Sequence, residues 1–203
     1  MKNTLYYPIL FMIAVTVVFI ALLASINYML TDTIAFNQES ELRQKILYIF
    51  DILPESDDSQ EIKIVFDENV EQRKINNIEI YALIENKQDI AYAVPINGPG
   101  LWGTIDGYVG LNKDFTKIIG IEFVTHAETP GLGGRISEES YKSQFRNIDI
   151  TNVIDGNYII SSPQVGSNVD AIVGATQTSA AVVKLINKDL DIFFQTLGGE
   201  IVD

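Results

Sequence analysis

The sequence predicts an α+β fold: one N-terminal transmembrane helix, then a domain with a largely antiparallel sheet flanked by helices. Three observations predict it. Asn3 to Thr31 carries no charged residue; the spacing of apolar residues falls to two along much of the stretch from Ile62 to Thr125; and a helical spacing returns after Ser179, with Val182, Val183, Ile186, Leu190 and Phe194 on one face. A chain of 203 residues, 47% of them hydrophobic, suffices for one domain with a real core plus an appendage and falls short of two large domains.

Composition excludes several classes of function. A formal charge of -13 argues against nucleic acid, because phosphate binding by counterion release needs clustered Lys and Arg. Anionic lipid headgroups are disfavoured for the same reason. Cysteine is absent, which removes disulfides, iron–sulfur clusters and thiol catalysis. The single histidine, His126, does not support a His-rich zinc site, so no metal is expected, although an all-carboxylate magnesium or calcium site stays chemically open.

The first element is the anchor, residues 1–31. Its centre, Pro8 to Ala24, is almost wholly apolar, and the uncharged run exceeds the roughly 20 residues a spanning helix needs. A signal peptide cleaved near Ala24 is the competing reading, but its apolar core is normally only about 7 to 15 residues. Lys2 precedes the span and Asp32 follows it, so the positive-inside rule puts the N-terminus in the cytoplasm and the rest of the chain on the extracytoplasmic side of the cell membrane. With no ionisable residue inside it, the span suits a tether or docking helix in the lipid bilayer.

Residues 32–60 read as an amphipathic helix, with Ile34, Leu42, Ile46, Ile49, Phe50 and Leu53 on its apolar side, followed by an acidic linker from Pro54 to Gln60. Residues 61–203 form the third section. Ile62, Ile64 and Phe66 recur at every second position; Ile78 to Ile84 pairs with Ile90 to Val94 across a short turn; Thr104 to Leu111 and Lys117 to Thr125 follow, as an antiparallel meander. A short helix is expected over Tyr141 to Arg146 and a hairpin-type turn at Asp155-Gly156. No internal repeat is seen.

Three loops carry the candidate chemistry. Asn97 to Gly103 holds the only tryptophan, Trp102, beside Leu101; a lone Trp is often a core or edge residue, but an indole on a loop between strands can stack on a planar ring. His126 to Arg135 begins at a strand end. His126 and Glu128 admit an acid–base pair or a loop-orienting role, and Thr129-Pro130-Gly131-Leu132-Gly133 is a turn whose backbone can approach a ligand closely. The third loop, Asp170 to Ser179, places Gly174 and Ala175 before Thr176, Gln177, Thr178 and Ser179, with Thr178 or Ser179 expected as helix cap. Such a helix start offers free N–H groups to phosphate.

These residues resemble the flavin-binding subunits of two related complexes: NqrC of the sodium-translocating NADH:quinone oxidoreductase (Nqr) and its G-type counterpart in the Rnf complex. The resemblance rests on the N-terminal anchor, on Glu128 to Gly133 (Glu-Thr-Pro-Gly-Leu-Gly) and on Asp170 to Thr178 (Asp-x-x-x-Gly-Ala-Thr-x-Thr). It implies FMN held by a phosphoester to Thr176, attached from FAD by a flavin transferase that reads Asp170, Gly174, Ala175 and Thr176. It further implies that Thr178, Ser179, Leu101, Trp102, Glu128, Thr129, Gly131, Leu132 and Gly133 surround the cofactor, that no residue of this chain is catalytic, and that other membrane subunits of an ion-translocating redox complex are its partners. Gly100-Leu101-Trp102 looks more like the Nqr protein, whereas the compact length also suits the Rnf one. Val173 stands where the family usually has Ser or Thr. A stand-alone extracytoplasmic flavoprotein and a non-redox assembly protein are the alternatives.

Overall fold

The computed structural model describes residues 6–76 and 78–198, so the charge at Lys2 that bears on orientation lies outside the described residues. By contacts the chain divides into two units, Met1–Glu41 and Leu42–Asp203.

Helix α1 runs without interruption from Tyr6 to Ile49. Among the described residues it is the one helix long and apolar enough to cross a membrane, with a mean hydropathy of 3.0 over its most apolar window. In the first unit its large apolar side chains, Phe11, Leu22 and Ile26 among them, are exposed on all sides, the pattern of a helix that is hydrophobic all round. The hydroxyls of Thr16, Ser25 and Thr31 donate back to the carbonyls of Met12, Ala21 and Asn27 at 2.7–2.8 Å, so their polarity is met within the helix. The amphipathic stretch expected from residue 32 is therefore the continuation of the same helix. It stops before Leu53: Asp51 adopts φ 60°, and the N–H groups of Asp51 and Ile52 donate to Tyr48 O and Leu47 O at 3.1 Å, a left-handed helix terminus.

The acidic run is not all linker. Asp58 accepts from Gln60 N at 3.1 Å and caps α2, Ser59–Asn69. The strand expected around Ile62, Ile64 and Phe66 is thus a helix. Ile62 is buried and Val65 and Phe66 pack beside it, three and four positions on, while Ile64 is exposed. The signal was present as Asp58 followed three residues later by Glu61, a capping-box spacing that outweighs a short alternation.

The domain is built on a six-stranded antiparallel sheet in chain order: β1 Val70–Ile75, β2 Ile78–Glu85, β3 Gln88–Pro99, β4 Thr104–Asn112, β5 Lys117–Thr125 and β6 Ile148–Asp149. The expected meander is β2 to β5. The two edge strands were not foreseen, because β1 is a polar strand with Val70 alone buried and β6 has two residues. Alternation assigns the faces. Ile80, Val94, Ile96 and Val109 join the core beneath α4, Thr176–Gly198, whereas Tyr81, Leu83, Ala91 and Ala93 join that of Ile46, Leu47, Ile49 and Ile62. On this second face Gly110 and Gly120, paired across β4 and β5, let Ile49 lie directly on the sheet. A methyl at Gly120 would stand 2.9 Å from the Ile49 carbonyl oxygen, which no side-chain rotation relieves. Gly120→Ala is therefore expected to cost about 1–3 kcal/mol, measurable as a lower urea midpoint.

Between β5 and α4 the chain makes a long excursion. It contains 3-10 turns at Gly133–Ser137 and Ser143–Phe145 around α3, Glu139–Lys142, where the helix over Tyr141 to Arg146 was expected. Asp155 and Gly156 both take positive φ and close an Ile154–Asn157 bridge, the hairpin turn in its smallest form.

Candidate functional site

The three loops picked out in the sequence meet at the start of α4, and Glu128 is what joins them. Its side chain is 5% exposed. Oε1 accepts from Leu101 N at 2.7 Å and Trp102 N at 3.1 Å, and Oε2 accepts from the Thr178 hydroxyl at 2.7 Å. One carboxylate thus spans the β3–β4 loop, the loop after β5 and the first turn of α4. Burial pushes the carboxyl up, but the Thr178 hydroxyl, the Trp102 and Leu101 amides and nearby His126 together outweigh it, and the group is held below its usual range. His126 supports this from behind: its Nδ1 accepts from Glu128 N at 3.3 Å and its Nε2 lies 2.9 Å from Ser137 Oγ. Of the two roles open to His126 and Glu128, loop orientation is the observed one.

Close packing around the carboxylate needs missing side chains. A Cβ on Gly133 would stand 2.6 Å from Thr178 Oγ1 and 2.7 Å from Glu128 Oε2. Gly133→Ala is expected to part that hydrogen bond and lower stability by about 1–3 kcal/mol, again read from a denaturant midpoint. Gly100 is equally close to Glu128 Oε1; the sequence marked it only within Gly100-Leu101-Trp102, because its role depends on a contact with residue 128. Ahead of Gly133, Thr129 O accepts from Leu132 N at 3.1 Å and Gly134 N at 2.9 Å, and Gly131 takes φ 73°. This is a type II turn with Pro130 and Gly131 at its centre.

A second such turn precedes α4. Ala175 N donates to Ile172 O at 2.9 Å, with Gly174 at φ 84°. The helix begins at Thr176, two or three residues earlier than expected, and neither Thr178 nor Ser179 is its cap. The reason is that both hydroxyls are taken: Thr178 donates to Glu128, and Ser179 donates to Ala175 O at 3.1 Å while accepting from Ile172 N at 2.9 Å. The first intrahelical bond at this end is Ser179 N to Ala175 O at 3.0 Å, so the N–H groups of Thr176, Gln177 and Thr178 have no partner within the helix.

Of the three hydroxyls here, Thr178 is 1% exposed and Ser179 fully buried, whereas Thr176 is exposed. Thr176 borders an open cleft of about 330 Å³ with Leu101, Gly174, Ala175 and Gln177. Leu101, Trp102, Leu132 and Val173 are exposed at 47%, 68%, 47% and 88%, and Leu132 Cδ2 comes within 3.4 Å of where a Gly174 Cβ would be. Trp102 is therefore neither a core nor a buried edge residue. Asp170 stands apart from the Glu128 network: its backbone N–H donates to Gln144 Oε1 at 2.7 Å, and it lines a separate depression with Arg135, Tyr141 and Val173. Among the described residues no group of three or more metal-ligating side chains is gathered.

Residues 100–191 match the FMN-binding domain family. The match contains all of the expected site residues. The chain is 32% identical over 120 residues to the G component of the proton-translocating ferredoxin:NAD(+) oxidoreductase complex of Clostridium ljungdahlii, covering 59% of this chain and 62% of that one. It is 28% identical over 145 residues to the C component of the Na(+)-translocating NADH-quinone reductase of Pseudomonas aeruginosa, covering 68% and 52% respectively. The matches span about half to three fifths of the length of these curated relatives. The crystal structure of the C component of the same reductase from Parabacteroides distasonis superposes with a TM-score of 0.68 at 23% identity, over 83% of this chain and 96% of that one; Shewanella oneidensis NqrC gives 0.62 at 19%, over 74% and 91%. The α+β fold is shared with these structures, and the chain resembles the Nqr and Rnf proteins as the motifs implied.

The geometry fits an FMN-binding domain. An exposed hydroxyl, a helix start whose first N–H groups have no partner within the helix and an apolar rim lie together at the head of α4.

Proposed function

We propose that this chain is a membrane-anchored flavoprotein carrying FMN through a phosphoester to Thr176, and that it relays electrons within an ion-translocating oxidoreductase complex of the Nqr or Rnf kind. The observation that carries the covalent part is the exposure of Thr176 beside the buried hydroxyls of Thr178 and Ser179. Bound FMN would supply one- and two-electron redox chemistry. The chain's own part is positional. The N–H groups of Thr176, Gln177 and Thr178 and the helix dipole receive the phosphoester's negative charge. Leu101, Trp102 and Leu132 offer the apolar surface against which a planar ring packs, and Thr129 to Gly133 and Gly174 supply backbone at close range. Asp170, Gly174 and Ala175 present Thr176 to a flavin transferase. Val173, almost wholly exposed, packs against little of its own domain, so a Ser or Thr there is not required by the fold.

Residues 1–31 serve as an uncleaved anchor in the cell membrane, continued by residues 32–60, with the FMN-binding domain over 61–203 on the extracytoplasmic side. The other members of the complex supply donor, acceptor and ion path. The test is intact mass after denaturation of protein made in cells containing the transferase. An FMN-sized excess on the peptide containing Thr176 is the expected result; a colourless protein of unmodified mass overturns the proposal.

A further inference from the structure

Thr176 also borders a second cavity, of about 410 Å³, whose other lining residues are not among those assigned above to the flavin. It runs along α4 on the stripe of Thr176, Ala180, Val183, Lys184 and Lys188, residues that recur at helical spacing on one face. Its opposite wall is the segment from Gly156 to Gln164. That wall is firmly held. The buried Asn187 amide accepts from Tyr158 N and Ile159 N at 2.9 Å and donates to Ile159 O at 2.8 Å, Ser162 N donates to Val169 O at 2.9 Å, and Ser162 Oγ accepts from Ala171 N at 3.1 Å. The cavity is therefore preformed, and its volume lies in the usual range for small-molecule sites.

The cavity is less acidic than the chain as a whole. The lining holds Lys184, Lys188 and Asp191, a balance of +1 in a protein of formal charge -13. Asp191 sits at the far end and accepts from the Tyr158 hydroxyl at 2.9 Å. Lys188 is 3.2 Å from Asp189, and Lys184 has no ion pair among the described residues. Lys184 and Lys188 are one turn apart on the helix; Asp189 answers Lys188, which leaves Lys184 as the lysine open to an anion. Beside them the cavity is floored by Ala180 and Val183 and flanked by Pro163.

The geometry points to a second ligand site here, for an organic phosphate of about nucleoside monophosphate size, with its phosphate on Lys184 and Lys188 and its body against Ala180, Val183 and Pro163. The site does not include the ring surface at Leu101 and Trp102; it rests on the flavin lying there, and the flavin-loaded chain is therefore the one tested.

The experiment is equilibrium dialysis of the detergent-solubilised, flavin-loaded full chain against adenosine monophosphate, with adenosine and inorganic phosphate as separate probes. Saturable binding at one site is expected, at least tenfold weaker in the Lys184→Ala/Lys188→Ala double variant and unchanged in Lys113→Ala, which removes a like charge from the β4–β5 turn. Adenosine and phosphate are each expected to bind at least tenfold more weakly than the monophosphate. No saturation at millimolar concentration overturns the site, as does an equal loss in Lys113→Ala. Phosphate binding as tight as adenosine monophosphate overturns the role of the apolar floor. Both lysines are exposed, so unchanged thermal unfolding of the variants is the control for folding.

Discussion

Thr176→Ala is expected to abolish flavin retention: after denaturation the variant shows no polypeptide-bound fluorescence and no FMN-sized mass, where the parent carries both. The loss should be complete because neither neighbour can substitute. Thr178 spends its hydroxyl on Glu128 and Ser179 is sealed beneath the Ile172–Ala175 turn, so an incoming phosphoryl donor meets only residue 176. Thr176→Ser keeps an oxygen at the same place and should retain attachment. Stability should shift by no more than about 0.5 kcal/mol in either variant, as for most exposed positions. An alanine variant that keeps covalent flavin would overturn the assignment of the anchor and move it to another hydroxyl.

The second large effect belongs to Glu128. Glu128→Ala removes the acceptor for three hydrogen bonds at once. Bonds to a charged group are worth about 1.5–3 kcal/mol each, but the two loop amides regain water, so a loss on the order of 3–5 kcal/mol is expected. Glu128→Gln still accepts from both amides through its carbonyl and should lose about 1–2 kcal/mol. The pH dependence follows from the lowered carboxyl pKa. Folding stabilises the ionised form, so the contribution is fully present above the ordinary carboxylate range and disappears as pH falls through the lower folded value. Unfolding free energy measured between neutral and acidic pH should therefore fall less steeply in Glu128→Gln than in the parent. Equal slopes would mean that the carboxylate does not carry the charge-dependent part.

Much of this arrangement was legible in the sequence, and what was not has physical causes. The strands β2 to β5 announced themselves as apolar, β-branched and aromatic runs bounded by turn residues, although both faces of the sheet are covered. β1 did not, since an edge strand keeps its charges, and α2 was hidden by an alternation in which Ile64 turned out to be exposed. At the site, Thr176, Glu128 and the glycine turns were visible as residue types in a pattern. That Glu128 joins Leu101, Trp102 and Thr178 was not, because those contacts cross 26 to 50 residues. The same blindness misplaced the start of α4. A hydroxyl before a helix reads locally as a cap, and only the distant carboxylate shows why Thr178 is otherwise engaged.

The chain-order sheet has a consequence for how the molecule assembles. Neighbouring strands from β1 to β5 are joined by short connections, so the sheet can zip with little loop-closure entropy. Helix α4 returns across a far longer span, with Asp189 meeting the Asn97 amide over 92 residues. Docking of α4 is then the late event, and the junction around Glu128 exists only once it has happened. In native-state hydrogen exchange, amides near Thr178 should open at lower free energy than those of β3, which makes the proposed anchor the newest and most easily undone part of a sheet-first domain.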